Sequence, residues 1–130
     1  MRETLHAWAP RVLSLLRIVA AGLLLMHGSQ KLFGFPGADL PMPPLLSKMG
    51  LLGIIEFFGS ALVVIGLFTR PAALLLSVAM AGDYLKAHAP VSLFPAENHG
   101  DYVLLWSIIF FYLVFAGPGP WSLDAARGRS

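Results

Sequence analysis

The side chains best suited to chemistry in this sequence are ionisable or phenolic groups that lie within long apolar stretches or at their ends. An ionisable group at membrane depth costs about 2.5–3.5 kcal/mol, so each must face a partner or a watery cavity. Glu56, His27 and Lys31 are the candidates for a catalytic role, because a buried acid beside a base can exchange protons with a ligand. The predicted ligand-binding residues are His27, Lys31, Glu56, Asp83, Tyr84, His88 and Asp101.

Two acids are predicted to lie at the same depth. Glu56 follows the start of one apolar stretch by five residues, and Asp83 precedes the end of the next by five or six. At about 1.5 Å of rise per residue, both carboxyl groups lie roughly 8 Å below the same interface. Lys86 is one turn from Asp83 and favours its local neutralisation. Glu56 has no such neighbour in sequence, so it indicates either a structural ion pair with a partner on another helix or a functional site.

That partner is expected in the first apolar stretch. His27 and Lys31 are spaced i, i+4 and therefore share a helix face, and either could reach Glu56. Tyr84 and His88 have the same spacing near the end of the third stretch. The spacing thus predicts one shallow layer of acids, bases and a phenol.

Four apolar stretches must position these groups. The chain is 57% apolar and only 12% charged, whereas soluble domains carry about a quarter charged residues. So few charges cannot cover a water-facing surface. We therefore predict an all-α, membrane-embedded four-helix bundle in a single domain over 1–130, with Asp101 beginning the fourth helix at the level of the other groups. The four transmembrane helices are expected at about 12–33, 51–69, 71–89 and 99–116.

The basic residues predict the orientation. With four spans, six arginines fall on the side of the termini and three lysines on the other, so both termini are expected in the cytoplasm. Arg17, near the inner end of the first span, is expected to extend toward lipid head groups. The proline-rich residues 36–44 favour an extended loop on the outer side.

Composition also excludes several classes of protein. The chain has no cysteine, which excludes disulfides, thiolate nucleophiles and iron–sulfur ligation. The net charge of +2 is too small to indicate a nucleic-acid partner. His27 and His88 lack a further ligating motif, so we expect neither a metal site nor haem.

Several sequence blocks carry a family resemblance. They are Arg17, 27–35, 53–56, 66–70, 88–90, 94–100 and 116–124. By the order and spacing of these blocks, the chain resembles the DoxX family of small bacterial membrane proteins over about residues 11–124. Two positions depart from the family pattern. Asp101 stands where glutamate is expected, and Asp83 stands where a small uncharged residue is usual.

The resemblance implies a protein of the bacterial inner membrane, and its leading interpretation is a subunit of a membrane oxidoreductase complex. The family takes its name from a subunit of an archaeal thiosulfate:quinone oxidoreductase. We expect a quinone or another small redox molecule in the outer half of the bundle, with Glu56 and Asp83 relaying protons. His27, Lys31 or His88 would donate hydrogen bonds to it. Without a flavin, nicotinamide or iron–sulfur signature, electrons would come from a soluble or membrane redox partner, and whether this chain is itself an enzyme stays open.

Two alternatives stay open beside this one. The same layer could bind an ion or small solute for transport, although a single four-helix chain would then need to form a homo-oligomer. Alternatively, the protein is a non-catalytic scaffold whose buried ion pair fixes helix register and whose loops recruit a soluble redox enzyme.

Overall fold

Helices account for all regular secondary structure in the part of the chain that the computed structural model describes, residues 1–37 and 43–129. A π-helical turn over Tyr84–His88 continues α3 directly. The predicted all-α class is confirmed, while residues 38–42 of the expected proline-rich loop lie outside the described residues. The helices are α1 (Arg2–Phe33), α2 (Lys48–Ile65), α3 (Thr69–Asp83), α4 (Pro95–Asn98), α5 (Asp101–Ala116) and α6 (Leu123–Ala126).

Two of the described helices, α1 and α2, are long and apolar enough to cross a membrane. The helix α1 has 32 residues and begins ten residues before the predicted first span. The helix α5 is apolar but has only 16 residues, fewer than the roughly 20 that usually cross a bilayer. The outward faces of the bundle carry large apolar side chains such as Phe58, Val78 and Ile108, which suits a hydrocarbon environment better than water.

The helices pack as two antiparallel pairs, α1 with α2 and α3 with α5, joined mainly between α2 and α3. Inside the α3–α5 pair, Ser77 Oγ donates to the Ser107 carbonyl at 2.8 Å and Ser107 Oγ donates to the Ser77 carbonyl at 3.0 Å. Each buried hydroxyl thereby has a hydrogen-bond acceptor on the other helix within an apolar core. Between α1 and α5, contact depends on large side chains, and Trp106 Nε1 donates to the Ala20 carbonyl at 3.2 Å.

Gly28 brings α1 close to α2 at the level of Glu56. A Cβ added there would lie 2.6 Å from the Phe57 amide nitrogen and 2.9 Å from its Cα. We therefore expect Gly28→Ala to force the helices apart and to lower the free energy of unfolding by about 1–3 kcal/mol, measured by denaturation in detergent micelles. Gly22→Ala is the matched control, because nothing lies within 4 Å of its added Cβ. Equal effects of the two changes would contradict the close approach.

A C-terminal segment closes one end of the bundle, and we call residues 117–126 the C-terminal strap. The Asp124 amide donates to the Gly66 carbonyl at 2.8 Å. Its carboxylate accepts from the amides of Phe68 at 3.0 Å and Thr69 at 2.9 Å, so it caps α3 from a distant part of the chain. Burial opposes ionisation of Asp124, but these backbone hydrogen bonds and the charge of Arg127 hold its pKa below the usual value.

Arg17 is fully buried beneath the strap. Its guanidinium donates to the carbonyls of Pro118, of Trp121 at 2.6 Å and of Val64 at 3.3 Å. Ser14 Oγ, one turn earlier, accepts from the Trp121 amide at 3.1 Å. The prediction that Arg17 extends to lipid head groups is therefore wrong, because carbonyl groups of the strap surround the guanidinium inside the protein.

Candidate functional site

A buried ion pair lies near the end of the bundle opposite the strap. Lys31 Nζ lies 2.7 Å from Glu56 Oε1 and 2.8 Å from Oε2, so one ammonium group contacts both carboxylate oxygens. The Glu56 side chain is 3% exposed and that of Lys31 is 21% exposed. Lys31, in the last turn of α1, reaches Glu56 because Gly28 allows the two helices to approach. Of the two expected partners of Glu56, the structure selects Lys31.

His27 does not pair with Glu56 but packs against aromatic side chains of α5. Its ring stacks on Tyr102 of α5 with centroids 6.0 Å apart and meets Trp106 edge-on at 5.1 Å. Tyr102 and Trp106 are themselves 5.6 Å apart. These three rings link α1 and α5, one helical turn from the Lys31–Glu56 pair.

The π turn forms a second acid–base pair. In an α-helix, residues five apart point about 140° away from each other, but the wider π turn brings them to one face. The Ala89 amide donates a hydrogen bond to the Tyr84 carbonyl, five residues earlier, at 2.8 Å, and this bond defines the π turn. Asp83 Oδ2 then lies 3.9 Å from His88 Nε2. The prediction that Lys86 neutralises Asp83 is therefore wrong: its side chain is exposed, and His88 is the neighbour of Asp83.

A hydrogen bond fixes which ring nitrogen of His88 is basic. His88 Nδ1 lies 3.0 Å from the Asn98 carbonyl oxygen. Because a carbonyl oxygen only accepts, Nδ1 carries a proton, and Nε2 is left to take up or release one toward Asp83.

Asn98 is a site residue that the sequence-based prediction missed. It is buried, and its side-chain amide donates to Tyr84 Oη at 3.2 Å and to the Ser92 carbonyl at 3.0 Å. Its Oδ1 accepts from the Gly100 amide at 2.8 Å. Asn98 therefore attaches the loop before α5 to the π turn and orients both Tyr84 and His88.

The rings and acid–base pairs form one continuous arrangement. The ring centroids of Tyr84 and His88 are 6.3 Å apart, and those of His88 and Tyr102 are 6.1 Å apart. We call Tyr84, His88, Tyr102, Trp106 and His27 the aromatic row. The row runs from the Asp83–His88 pair on α3, across α5, to α1 one turn from the Lys31–Glu56 pair.

The remaining predicted residue, Asp101, lies at the rim of this arrangement. It is exposed in the first turn of α5, and its Oδ1 accepts from the Tyr102 amide at 3.0 Å. Tyr102 and Trp106 were not among the predicted ligand-binding residues. Their i, i+4 spacing on the fourth apolar stretch was the available signal. Within residues 1–37 and 43–129, no cluster of three or more histidine, aspartate or glutamate side chains could hold a metal ion.

Comparison with known proteins places this arrangement in a family. The DoxX family model matches residues 12–89, which include α2, α3, the π turn and most of α1. The chain belongs to the DoxX family. The DoxX match contains both acid–base pairs but ends before α5, which supplies Tyr102 and Trp106 to the aromatic row.

Three relatives support the DoxX assignment. An uncharacterized protein of Haemophilus influenzae is 40% identical over 94% of this chain and 95% of its own. An uncharacterized membrane protein of Mycobacterium tuberculosis is 31% identical over 92% of this chain and 83% of its own. The inner membrane protein YphA of Escherichia coli is 27% identical over 88% of this chain and 89% of its own. The family and these relatives support a membrane location, and no solved structure matches the chain.

Proposed function

We propose that this DoxX protein binds a quinone or a similarly small redox molecule as a subunit of a membrane oxidoreductase complex. It does so as a single four-span domain of the bacterial inner membrane with both termini in the cytoplasm. The helices α1 and α2 are long enough for two spans. The helix α3 with its π turn supplies a third, and the apolar α5 supplies the fourth.

The observation that carries this proposal is the aromatic row between two acid–base pairs. A quinone ring is flat and apolar on its faces, bears two carbonyl acceptors and takes up protons when it is reduced. Tyr102 and His27 offer faces for stacking. Lys31 offers a hydrogen-bond donor, and His88 Nε2 can donate to a quinone carbonyl when it carries a proton beside Asp83.

Closure of the opposite end of the bundle favours binding over passage through the protein. Arg17, Ser14 and the strap occupy that end with an interlocked set of hydrogen bonds. A ligand near the aromatic row would therefore enter and leave on one side. The scaffold alternative is favoured by the Lys31–Glu56 pair, which could fix helix register without any ligand.

Quinone binding can be measured by quenching of Trp106 fluorescence in a variant that carries Trp8→Phe and Trp121→Phe. We expect a short-chain quinone to quench this signal. Tyr102→Leu should weaken binding at least about tenfold, since a stacked ring pair and its burial contribute about 1.5 kcal/mol or more.

Tyr112→Leu is the matched control, because Tyr112 is also an exposed tyrosine of α5, 54% exposed against 46% for Tyr102, but lies outside the row. Glu56→Gln should also weaken binding, because it removes the negative charge that holds Lys31. An absence of binding to the parent protein, or equal effects of the two tyrosine changes, would contradict the proposal. A lipid extract and an absorbance spectrum of the purified protein test for bound quinone and haem together.

A further inference from the structure

A second candidate binding site is an apolar groove on the outward face of the bundle between α2 and α3. The groove has a volume of about 380 Å³. Its walls include Phe58, Gly59 and Leu62 of α2 and Ala72 and Leu75 of α3. In these walls Gly59 allows the Leu76 side chain to pack closely against α2, and Ala72 contributes only a methyl group. It is separate from the aromatic row, which lies between α1, α3 and α5.

The mouth of the groove lies at the strap end and is formed by Phe68. This residue has φ 50°, a left-handed conformation that is unfavourable for a bulky side chain. The Asp124 carboxylate holds the Phe68 amide in this conformation at 3.0 Å. The connection between α2 and α3 thus places an aromatic ring at the groove mouth.

A cation covers this ring. The Arg127 guanidinium carbon lies 5.6 Å from the Phe68 ring centroid. Arg127 is exposed, and its side chain donates no hydrogen bond within residues 1–37 and 43–129, although its charge also acts on the buried Asp124 carboxylate. An apolar groove that ends beneath a positive charge is complementary to a lipid with an apolar tail and an anionic head group.

We propose that the groove binds one acyl chain of an anionic phospholipid, with the phosphate beside Arg127. The lipid comes from the leaflet on the side of the termini. From Ile54 to Leu62, α2 rises about 12 Å, so the groove runs along α2 away from Phe68 and into the bilayer interior. The groove therefore extends from the head-group level in the direction of a lipid tail. This site depends on the membrane location of the chain and not on the quinone proposal.

Native mass spectrometry of the full chain in detergent tests the site, with phosphatidylglycerol and phosphatidylcholine of identical chains as probes. We expect the parent protein to retain phosphatidylglycerol preferentially. Arg127→Gln should lower that preference about fivefold, the effect of one cationic side chain near an anionic lipid surface. Arg129→Gln, which removes the same charge two residues away, should leave it unchanged.

A groove-filling variant tests the acyl chain independently of the charge. Leu75→Trp should reduce binding of both lipids at least about tenfold, because the indole would occupy the groove. Leu74→Trp should have no such effect, since Leu74 is equally exposed, 47% against 50%, but does not line the groove. Equal retention of the two lipids by the parent protein would overturn the proposal. So would a polyprenyl quinone that is lost on Leu75→Trp while phosphatidylglycerol stays bound.

Discussion

Replacing Arg17 with methionine will lower the free energy of unfolding by roughly 3–5 kcal/mol, because it removes charge-assisted hydrogen bonds of about 1.5–3 kcal/mol each. The guanidinium joins α1 to the carbonyls of Val64, Pro118 and Trp121. Methionine fills similar space but leaves these carbonyl groups without their donor. Denaturation in detergent micelles measures the change.

Arg11→Met is the control for Arg17→Met. Arg11 lies on the same helix but is exposed, and the polar and ring contacts of its guanidinium within residues 1–37 and 43–129 are with the local Ala7 carbonyl, at 3.4 Å, and the Trp8 ring. Its replacement should change stability by no more than about 0.5 kcal/mol. Limited proteolysis should also cut the strap faster in Arg17→Met, and similar cutting in both variants would contradict the role assigned to Arg17.

Replacing Lys31 with methionine should be as damaging, because it leaves the Glu56 carboxylate buried without a cation. Removing one partner of a buried ion pair costs about 3–5 kcal/mol, whereas replacing both by apolar residues is often neutral. We therefore expect Lys31→Met with Glu56→Leu to recover most of the loss. The measurement is a double-mutant cycle in the free energy of unfolding, with an expected coupling above about 2 kcal/mol.

The same double-mutant cycle, combined with the quinone-quenching assay, distinguishes the scaffold interpretation from the ligand-binding interpretation. Lys86→Met is its control, because Lys86 is an exposed lysine near the same end of the bundle. Additive losses in the cycle would show that Lys31 and Glu56 are not coupled. If the double variant regains stability but no longer quenches with a quinone, the pair takes part in ligand binding. If it regains both, the pair serves helix register alone, and quinone binding does not depend on it. The scaffold interpretation replaces the quinone proposal if Lys31 and Glu56 are coupled in stability but the parent protein binds no quinone.

The helices were predictable from short-range patterns, and so was the need of Glu56 for a cation on another helix. Long apolar stretches predict helices at membrane depth, and a buried acid with no charged neighbour in sequence demands a cation from another helix. Lys31 was one of two such cations at the expected depth. The choice between it and His27 depended on the rotation of α1 against α2, which the position of Gly28 determines and spacing alone does not.

The surroundings of Arg17 and Asp83 were not predictable for a different reason. Arg17 is separated by 101 residues from Pro118, and its partners are backbone carbonyls, which no side-chain pattern reveals. Asp83 contacts His88 only because the helix widens to a π turn, and an i, i+4 rule applied to a regular α-helix pairs residues differently. In both cases backbone geometry decides which polar groups meet.

The C-terminal strap also has a consequence for biosynthesis. Arg17 enters the membrane with the first helix, yet the chain between it and Trp121, a sequence separation of 104, must be made before that carbonyl acceptor exists. During translation the Arg17 guanidinium therefore lacks the two carbonyl acceptors of the strap, and water or lipid head groups must solvate it until they are made. The hydrogen bonds of the Arg17 guanidinium are complete only after the last residues leave the ribosome. Chains terminated before residue 117 would lack these acceptors permanently, so we expect them to be less stable than the full chain.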